Sequence, residues 1–490
     1  MDIATLLVDR TDKTPLYLQL CTALEQAIID SRLVPGERLP SERELAGLLG
    51  ISRTTAVNAY RELEARGLVR GFVGRGTYVS AGPDASGAPF AWRGKVATGA
   101  LRTEDPILRW LAHSAGDPEV ISFAAAMAAR ECFPVDMLRE IFDSVLRQRG
   151  MAALVLCPTE GHPDLRRAIA ARYNLRPEHV MVLNGAQQGL DLIARCLLDP
   201  GDAVIVDRPG YLGALQTFQA AGANLVGWDV LRADFDELED LIVRYRPKFL
   251  YTNPTFQNPT GQSMSQIARR ELLELAARYR LPIIEDDPYP ELAFDGSRKP
   301  SLHALDEHQI VIHTGTFSKV MGSGLRLAWL TATEAIIDQL ALIKQRNDVS
   351  SPTLSQMVVS EFITEGHLDR HLVTLRAEHQ RRYQAMCAAI ERHLHPGLLR
   401  YMPVDGGMYL WCTLGAGSDA VDLLRRSSAA GVIFINGDAF HSDGGGKHQL
   451  RLSFSSVPPA AIDEGMRRLG LILEAGATTD QLPGTIPLAR

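Results

Sequence analysis

From about residue 118 onward, short apolar runs rich in β-branched residues alternate with stretches of helical spacing. This alternation limits the fold more than any other feature. The runs are Val180–Leu183, Ala203–Val206, Lys248–Thr252, Pro282–Glu285, Ile310–Thr314 and Leu327–Leu330. Between them lie helix-like stretches such as Gln188–Leu198, Leu212–Ala221 and Gln266–Tyr279. Apolar strands separated by helices predict an α/β unit, a mainly parallel sheet covered on both faces. After about 368 a long polar helix, Arg376–His393, is expected to lead into a smaller α+β subdomain ending near 475. Residues 476–490 read as a disordered tail.

The first 80 residues have a different texture. Thr14-Pro15 reads as a helix start, with Thr as cap and Pro at the first helical position. Leu20, Ala23, Leu24, Ala27 and Ile28 follow at helical spacing and define one buried face. Pro35-Gly36 breaks that pattern. Ser41-Glu42-Arg43-Glu44 is a capping box that opens a second helix to Leu49, closed by Gly50. Ser52 caps a third helix with Ala56, Tyr60 and Leu63 on its inner face, and Gly67 ends it. Leu68 to Val79 reads as two short strands around Gly74-Arg75-Gly76. The sum is a helix-turn-helix with a wing over 1–80. Residues 81–117, which begin Ala-Gly-Pro-Asp-Ala-Ser-Gly-Ala-Pro, read as a linker, with Trp92 and Trp110 docking part of it.

Bulk properties narrow the setting. At 490 residues, two or three domains are expected. The six cysteines are scattered with no Cys-x-x-Cys pair. That argues against a disulfide framework and against structural zinc, and it suits a reducing cytoplasm. No apolar run reaches the roughly 20 residues that span a bilayer, and the first residues lack the layout of a signal peptide. The net charge is −7, yet residues 52–80 carry five arginines against two glutamates. Phosphate contact needs such a local excess, not a basic total.

Four segments in order carry a resemblance: Leu39-Pro40-Ser41-Glu42-Arg43-Glu44-Leu45-Ala46, Ser52-Arg53-Thr54-Thr55-Ala56, Gly67-Leu68-Val69 and Gly74-Arg75-Gly76-Thr77. Over nearly all of 14–79 this resembles the GntR family of winged-helix regulators, which implies double-stranded DNA as a partner. In such domains the start of the third helix meets base edges and the wing meets backbone or minor groove. The resemblance places Arg43, Ser52, Arg53, Thr54 and Thr55 on DNA, with Gly74 and Arg75 on the wing. Arg53 is the candidate for reading a guanine. Taken singly, each is also compatible with a solvated surface, and Arg61 and Arg66 are open between solvent and phosphate.

The larger unit carries a chemical constellation. Lys319 ends Gly315-Thr316-Phe317-Ser318-Lys319 and is followed by Gly322-Ser323-Gly324-Leu325-Arg326. Upstream lie Asp286-Asp287-Pro288-Tyr289, Asn258-Pro259-Thr260-Gly261 and Asn184-Gly185-Ala186-Gln187-Gln188-Gly189. Their order resembles the class I/II aminotransferases of fold type I over roughly 118–475. The implied cofactor is pyridoxal 5'-phosphate. By that resemblance Lys319 forms the Schiff base and Asp286 pairs with the pyridine nitrogen. Tyr289 and Asn258 hold the ring oxygen, and Tyr211 stacks on the ring. Ala186, Gln187, Thr316 and Arg326 hold the phosphate, a task suited to a helix start and a guanidinium fork. Asn258-Pro259 is expected to be cis. Arg451, in Leu-Arg-Leu-Ser-Phe (450–454), matches the arginine that takes an amino acid's α-carboxylate; the alternative is a structural ion pair.

Two positions depart from the family. Leu156 stands where a tyrosine usually reaches the partner subunit's phosphate, and Phe-Ala-Ala-Ala-Met-Ala (123–128) replaces a glycine-bearing segment that shapes the pocket. Both leave cofactor binding intact and weigh against efficient turnover.

A GntR-type head joined to an aminotransferase-like body resembles the MocR (GabR-like) regulators. The resemblance implies a homodimeric, cofactor-dependent transcription regulator that binds an operator of repeated half-sites. Its large domain would sense an amino acid, an amine or the cofactor itself through aldimine exchange at Lys319. The competing expectation is a working aminotransferase of 2-aminoadipate or aromatic type that carries a DNA-binding domain. A third is a cofactor-binding protein whose winged domain serves protein contacts.

Overall fold

The structure is a computed structural model that describes residues 14–30, 32–34, 36–72, 76–80, 119–125 and 127–476. The expected linker with Trp92 and Trp110, the wing tip Gly74-Arg75, Pro35 and residues 477–490 lie outside the described residues. The chain divides into two compact units, Met1–Arg102 and Thr103–Arg490.

In the first unit three helices, α1 (Leu16–Ile29), α2 (Glu42–Leu49) and α3 (Arg53–Ala65), precede the strands β1 (Val69–Phe72) and β2 (Gly76–Val79). Thr14 does not cap α1. Pro15, at ψ 136, is not yet helical and holds the cap position itself, so the helix starts at Leu16. The helix stops at Ile29, ahead of the expected break. The capping box of α2 forms in full: Glu44 N–H donates to Ser41 Oγ, and Ser41 N–H donates to Glu44 Oε2 at 2.9 Å. Gly50 closes α2 at φ 61, a left-handed geometry that glycine adopts without Cβ strain. Ser52 Oγ accepts from Thr55 N–H at 3.1 Å. Leu20, Leu24 and Ala27 pack with Leu45, Ala56, Leu63, Val69 and Val79 as one core. The Tyr60 hydroxyl donates to the Pro40 carbonyl at 2.8 Å and fixes α3 against the entry to α2. The strands pair antiparallel, Val69 opposite Val79 and Phe72 opposite Gly76. Sequence patterning missed that Gly36 and Leu39 also donate to the wing, at Val79 and Thr77 carbonyls.

The second unit is built on a seven-stranded sheet. Its strands are β4 (Val180–Leu183), β5 (Ala203–Arg208), β6 (Asn224–Asp229), β7 (Phe249–Thr252), β8 (Ile283–Asp286), β9 (Val311–Thr316) and β10 (Ala328–Thr331). Their spatial order is β4-β10-β9-β8-β7-β5-β6. All neighbours are parallel except β10, which runs antiparallel to both β9 and β4. Strand β6, absent from the apolar pattern, is an edge strand buried at Trp228 alone. A smaller antiparallel sheet orders β11 (Leu399–Tyr401), β12 (Tyr409–Leu414), β15 (Gln449–Ser453) and β14 (Ile435–Asn436). Beside it β3 (Ile121–Ser122) pairs in parallel with β13 (Val432–Ile433), so the first described residues of the unit join its C-terminal part. The long helix starts at His367, nine residues before the expected Arg376, and runs to His393. Its first half (Leu368, Leu372, Leu375) is buried in the core of the large sheet, its second (Met386, Ala389, Ile390) in that of the small one.

Beneath the C-terminal end of β8 lies a buried polar cluster that sequence reasoning did not find. Glu285, Asp287 and His313 hold ligand-type atoms within 4.8 Å of one another. Glu285 accepts the backbone N–H groups of Leu302 and His303 at 2.7 and 2.9 Å. The fully buried Arg269 guanidinium, 3.8 Å from Glu285, supplies positive charge there. Burial holds His313 down at about 3, hence neutral. Burial, then the Glu285 charge, pushes Asp287 up to about 8.

Two outcomes follow from this packing. Ser52→Ala removes the α3 cap and costs the winged unit about 1 kcal/mol, read as a lower thermal midpoint for its transition. Asp287 has a native value far above its ordinary 3.8. Its contribution is therefore complete below that value and lost as pH rises towards about 8. Asp287→Asn never ionises, so its stability relative to wild type should climb between pH 5 and pH 8 and level off above, in urea titrations at a series of pH values.

Candidate functional site

The carboxyl ends of β7, β8 and β9 face one cavity of about 410 Å³, the position where ligands bind in parallel α/β sheets. All ten residues expected to hold cofactor or substrate line it: Lys319, Asp286, Tyr289, Asn258, Tyr211, Ala186, Gln187, Thr316, Arg326 and Arg451. They come from both sheets and from loops spanning 186 to 451, so only the folded chain brings them together.

Asp286 ends β8 and is buried. Its Oδ2 accepts from the Tyr251 hydroxyl and its Oδ1 from the Thr314 hydroxyl, each at 2.9 Å. Burial raises its pKa, while these two donors and the charge of Lys319 oppose that rise. Neither Tyr251 nor Thr314 belongs to a recognisable motif. Each is delivered by a strand flanking β8, and Thr314 is the direct register partner of Asp286. Asp287, next in the chain, points instead into the polar cluster with His313.

One end of the cavity is shaped for an oxyanion. The helix Ala186–Leu197 begins after Gly185 with no side-chain cap, so its first amides have no intrahelical acceptor. Arg326, itself left-handed at φ 53, reaches over Gly185 towards the Asn184 carbonyl at 3.4 Å. A Cβ on Gly185 would stand 2.3 Å from Arg326 Nη2, so only glycine leaves this cradle open. Thr316 completes the rim, its Oγ1 accepting the Ser318 N–H. Tyr211 borders the same end and makes a 3.4 Å contact from its hydroxyl to Gln187 Oε1. Gly213 leaves room for that ring, because a Cβ there would fall 2.6 Å from it.

The other end is shaped for a carboxylate. Arg451, on β15, is buried; its Nη1 donates to Asn258 Oδ1 and its Nη2 to the Ala124 carbonyl, both at 2.7 Å. Its Nε has no hydrogen-bond partner among the described residues. No carboxylate pairs with it among the described residues, so the structural ion pair does not form; the guanidinium lies 4.3 Å from the Tyr409 ring centroid and 5.2 Å from that of Phe440. Because Arg451 takes the Asn258 oxygen, the amide nitrogen of Asn258 is left as the donor for the cavity. The Asn258-Pro259 bond is cis, as is Arg208-Pro209. Asn253, Gln216, Ile435 and Tyr409 also line the cavity and carried no signal in the sequence, while Ser323 lines it from inside the Gly322–Arg326 motif. Leu156 does not line it and is 75% exposed. The residues present fit pyridoxal phosphate: an amine, a carboxylate with two donors, a glycine-opened anion cradle and an unpaired guanidinium.

In the winged unit, Arg43, Ser52, Arg53 and Thr54 are exposed on one helix-turn-helix, while Thr55 is half-buried. The Ser52 and Thr55 hydroxyls bond each other at 2.8 Å, which leaves Arg53 and Thr54 as the outward pair at the head of α3. Arg66 is tied to Glu25 and Glu62 at 2.7 and 3.0 Å, and Arg61 is exposed.

Comparison with known proteins agrees with both halves. The family "Aminotransferase class I and II" matches residues 130–469, and "Bacterial regulatory proteins, gntR family" matches residues 16–79. The 2-aminoadipate transaminase of Thermus thermophilus is 38% identical over 391 residues, 79% of this chain and 98% of that one. The crystal structure of LysN, the alpha-aminoadipate aminotransferase of Thermus thermophilus, matches with a TM-score of 0.74 and 37% identity, over 78% of this chain and 98% of that one. The transcriptional regulator TauR of Rhodobacter capsulatus is 31% identical over 466 residues, 91% of this chain and 94% of that protein. The probable rhizopine catabolism regulatory protein MocR of Rhizobium meliloti is 29% identical over 486 residues, 98% of each. With a GntR domain ahead of a class I/II aminotransferase domain, and regulators of the same layout matching nearly its whole length, the chain belongs to the MocR family of helix-turn-helix transcription regulators.

Proposed function

We propose that this regulator binds pyridoxal phosphate at Lys319 and senses a carboxylate-bearing amine, which changes its hold on an operator. The observation that carries the proposal is Arg451: a buried guanidinium that, among the described residues, has no partner for its Nε and no carboxylate of its own, and that lines the cavity holding Lys319. A buried cation without a counter-ion is unfavourable, and an α-carboxylate is the group that relieves it with bidentate geometry. The cofactor would supply an aldehyde through which an incoming amine can displace the Lys319 amine. Asp286 would hold the ring nitrogen protonated, with Tyr251 and Thr314 keeping its carboxylate oriented. Asn258 and Tyr289 would hold the ring oxygen, and the Gly185–Gln187 turn with Thr316 and Arg326 would hold the phosphate.

A signal requires that the amine bind two states of the protein with different affinity. Two winged heads on repeated half-sites require a dimer. Met151, Leu154, Val155 and Leu156 form an exposed apolar run, 56–80% accessible, that supports such contact. The proposed domain boundaries are 1–80 for the winged head, 81–117 for the linker and 118–475 for the body, whose long helix packs on the large sheet before it enters the small subdomain. No described helix is long and apolar enough to cross a membrane. The aminotransferase reading keeps one observation in its favour, the complete set of ten residues round the cavity; the leucine at 156 weighs against it.

Binding of the purified protein to its own upstream DNA, at stated salt, with and without pyridoxal phosphate and an amino-acid panel, decides between these readings. One amino acid should change operator affinity in wild type, and Lys319→Ala should lose that response while still binding DNA. Operator binding indifferent to every amino acid, alongside steady conversion of one to its keto acid, overturns the sensor in favour of the enzyme. In the same assay Arg53→Ala should weaken specific binding by roughly 5- to 150-fold, the loss of one bidentate base contact.

A further inference from the structure

We propose that Tyr409 is a positioning residue that ties the ring-oxygen donor Tyr289 to the carboxylate-binding Arg451. The proposal rests on the cofactor reading above and concerns how the two ends of that site act on each other. Tyr409 begins β12 and is fully buried. Its hydroxyl lies 3.0 Å from the Tyr289 hydroxyl, and the two rings meet edge to face at 90° with centroids 5.7 Å apart. The face of the same ring lies 4.3 Å from the Arg451 guanidinium carbon. Arg451 in turn bonds Asn258 at 2.7 Å. Tyr289, Tyr409, Arg451 and Asn258 therefore form an unbroken chain of contacts, with the two ring-oxygen candidates at its ends and the carboxylate-binding guanidinium inside it.

The direction of the phenol contact follows from counting hydrogens. Each hydroxyl has one. If Tyr289 gives its hydrogen to the cofactor's ring oxygen, only its lone pairs face Tyr409, so Tyr409 must be the donor. A phenol that accepts a hydrogen bond is a better donor itself, so Tyr409 strengthens the grip of Tyr289 on the ring. The backbone round Tyr409 is packed to keep it there. A Cβ on Gly261, in the turn that carries Asn258, would fall 2.6 Å from the Tyr409 carbonyl oxygen. A Cβ on Gly406 would strike the Phe256 ring at 2.4 Å and the Leu292 carbonyl at 2.6 Å. Arg451 is also flanked by Phe440 at 5.2 Å, so an arriving carboxylate meets a guanidinium seated between two rings. Any shift of the guanidinium on binding acts on Tyr409 through the ring face and reaches Tyr289 through the hydroxyl.

The test uses the full chain and three readouts. In cofactor-free protein, a denaturation cycle of Tyr289→Phe, Tyr409→Phe and the double variant should be non-additive, by a factor of roughly 2 to 10 in the unfolding constant. In cofactor-loaded protein, the absorbance of the bound cofactor should titrate at higher pH in Tyr409→Phe than in wild type. A weaker donor leaves the ring oxygen more basic, and the proton it shares with the lysine-bound nitrogen is held longer. The other groups that act on Tyr289, namely Tyr211 and Arg451, are unchanged in this variant. Amino-acid affinity, followed by the same absorbance, should fall roughly 2- to 30-fold in Tyr409→Leu, which loses the ring, and less in Tyr409→Phe, which keeps it. An additive cycle, or normal cofactor uptake with a Tyr409→Phe titration superimposed on wild type, overturns the proposal and leaves the sensor reading standing. Wild-type protein that takes up no cofactor overturns both.

Discussion

A carboxylate placed at the end of a buried strand loses its hydration, and much of the large unit is arranged round that one group. Asp286 is kept out of water by the strands that flank it, and those strands also offset part of the loss, through the hydroxyls of Tyr251 and Thr314. Parallel register makes this possible. Strands β7, β8 and β9 bring residues distant in sequence to one level at the open end of the sheet, where loops can lie over them. The anion cradle at Gly185, built by Ala186, Gln187 and Arg326, and the guanidinium at Arg451 border the same cavity as Asp286. A molecule with a phosphate and a basic ring nitrogen would meet the cradle and Asp286, and the carboxylate of an amine would meet the guanidinium.

The same carboxylate explains why its neighbour is treated so differently. Two adjacent anions, both buried, would repel. Asp287 is turned under the sheet, where Glu285 and desolvation favour its neutral form and Arg269 offsets Glu285. The strand end thus carries one charge towards the cavity and hides a second titratable group behind it. His313, neutral beside Asp287, belongs to that hidden side.

Much of this was legible in the chain before folding, and the limits of legibility have physical causes. The capping box at Ser41–Glu44 is a local device; four residues decide it, so four residues reveal it. The ten residues expected round the cavity were readable because they sit in short motifs, several of them at a strand end or helix start. Tyr251 and Thr314 were not, since hydrogen bonds between strands depend on register, which no local window contains. Strand β6 escaped because it is an edge strand of middling burial, without the apolar run that marks its neighbours. The long helix was expected too late because Gly366 opens it at φ 70 with no side-chain cap, leaving no start signal. Thr14 offered a start signal that the backbone did not use.

The strand at Ile121–Ser122 gives the molecule a particular wiring. It pairs with β13, and two residues later the Ala124 carbonyl accepts a hydrogen bond from Arg451. The guanidinium proposed to read the ligand is thus fastened to the first described backbone of the large unit, a stretch that β13 holds only two residues away. A movement of Arg451 need not cross the interior to be felt there; it pulls directly on the edge where the two ends of that unit meet.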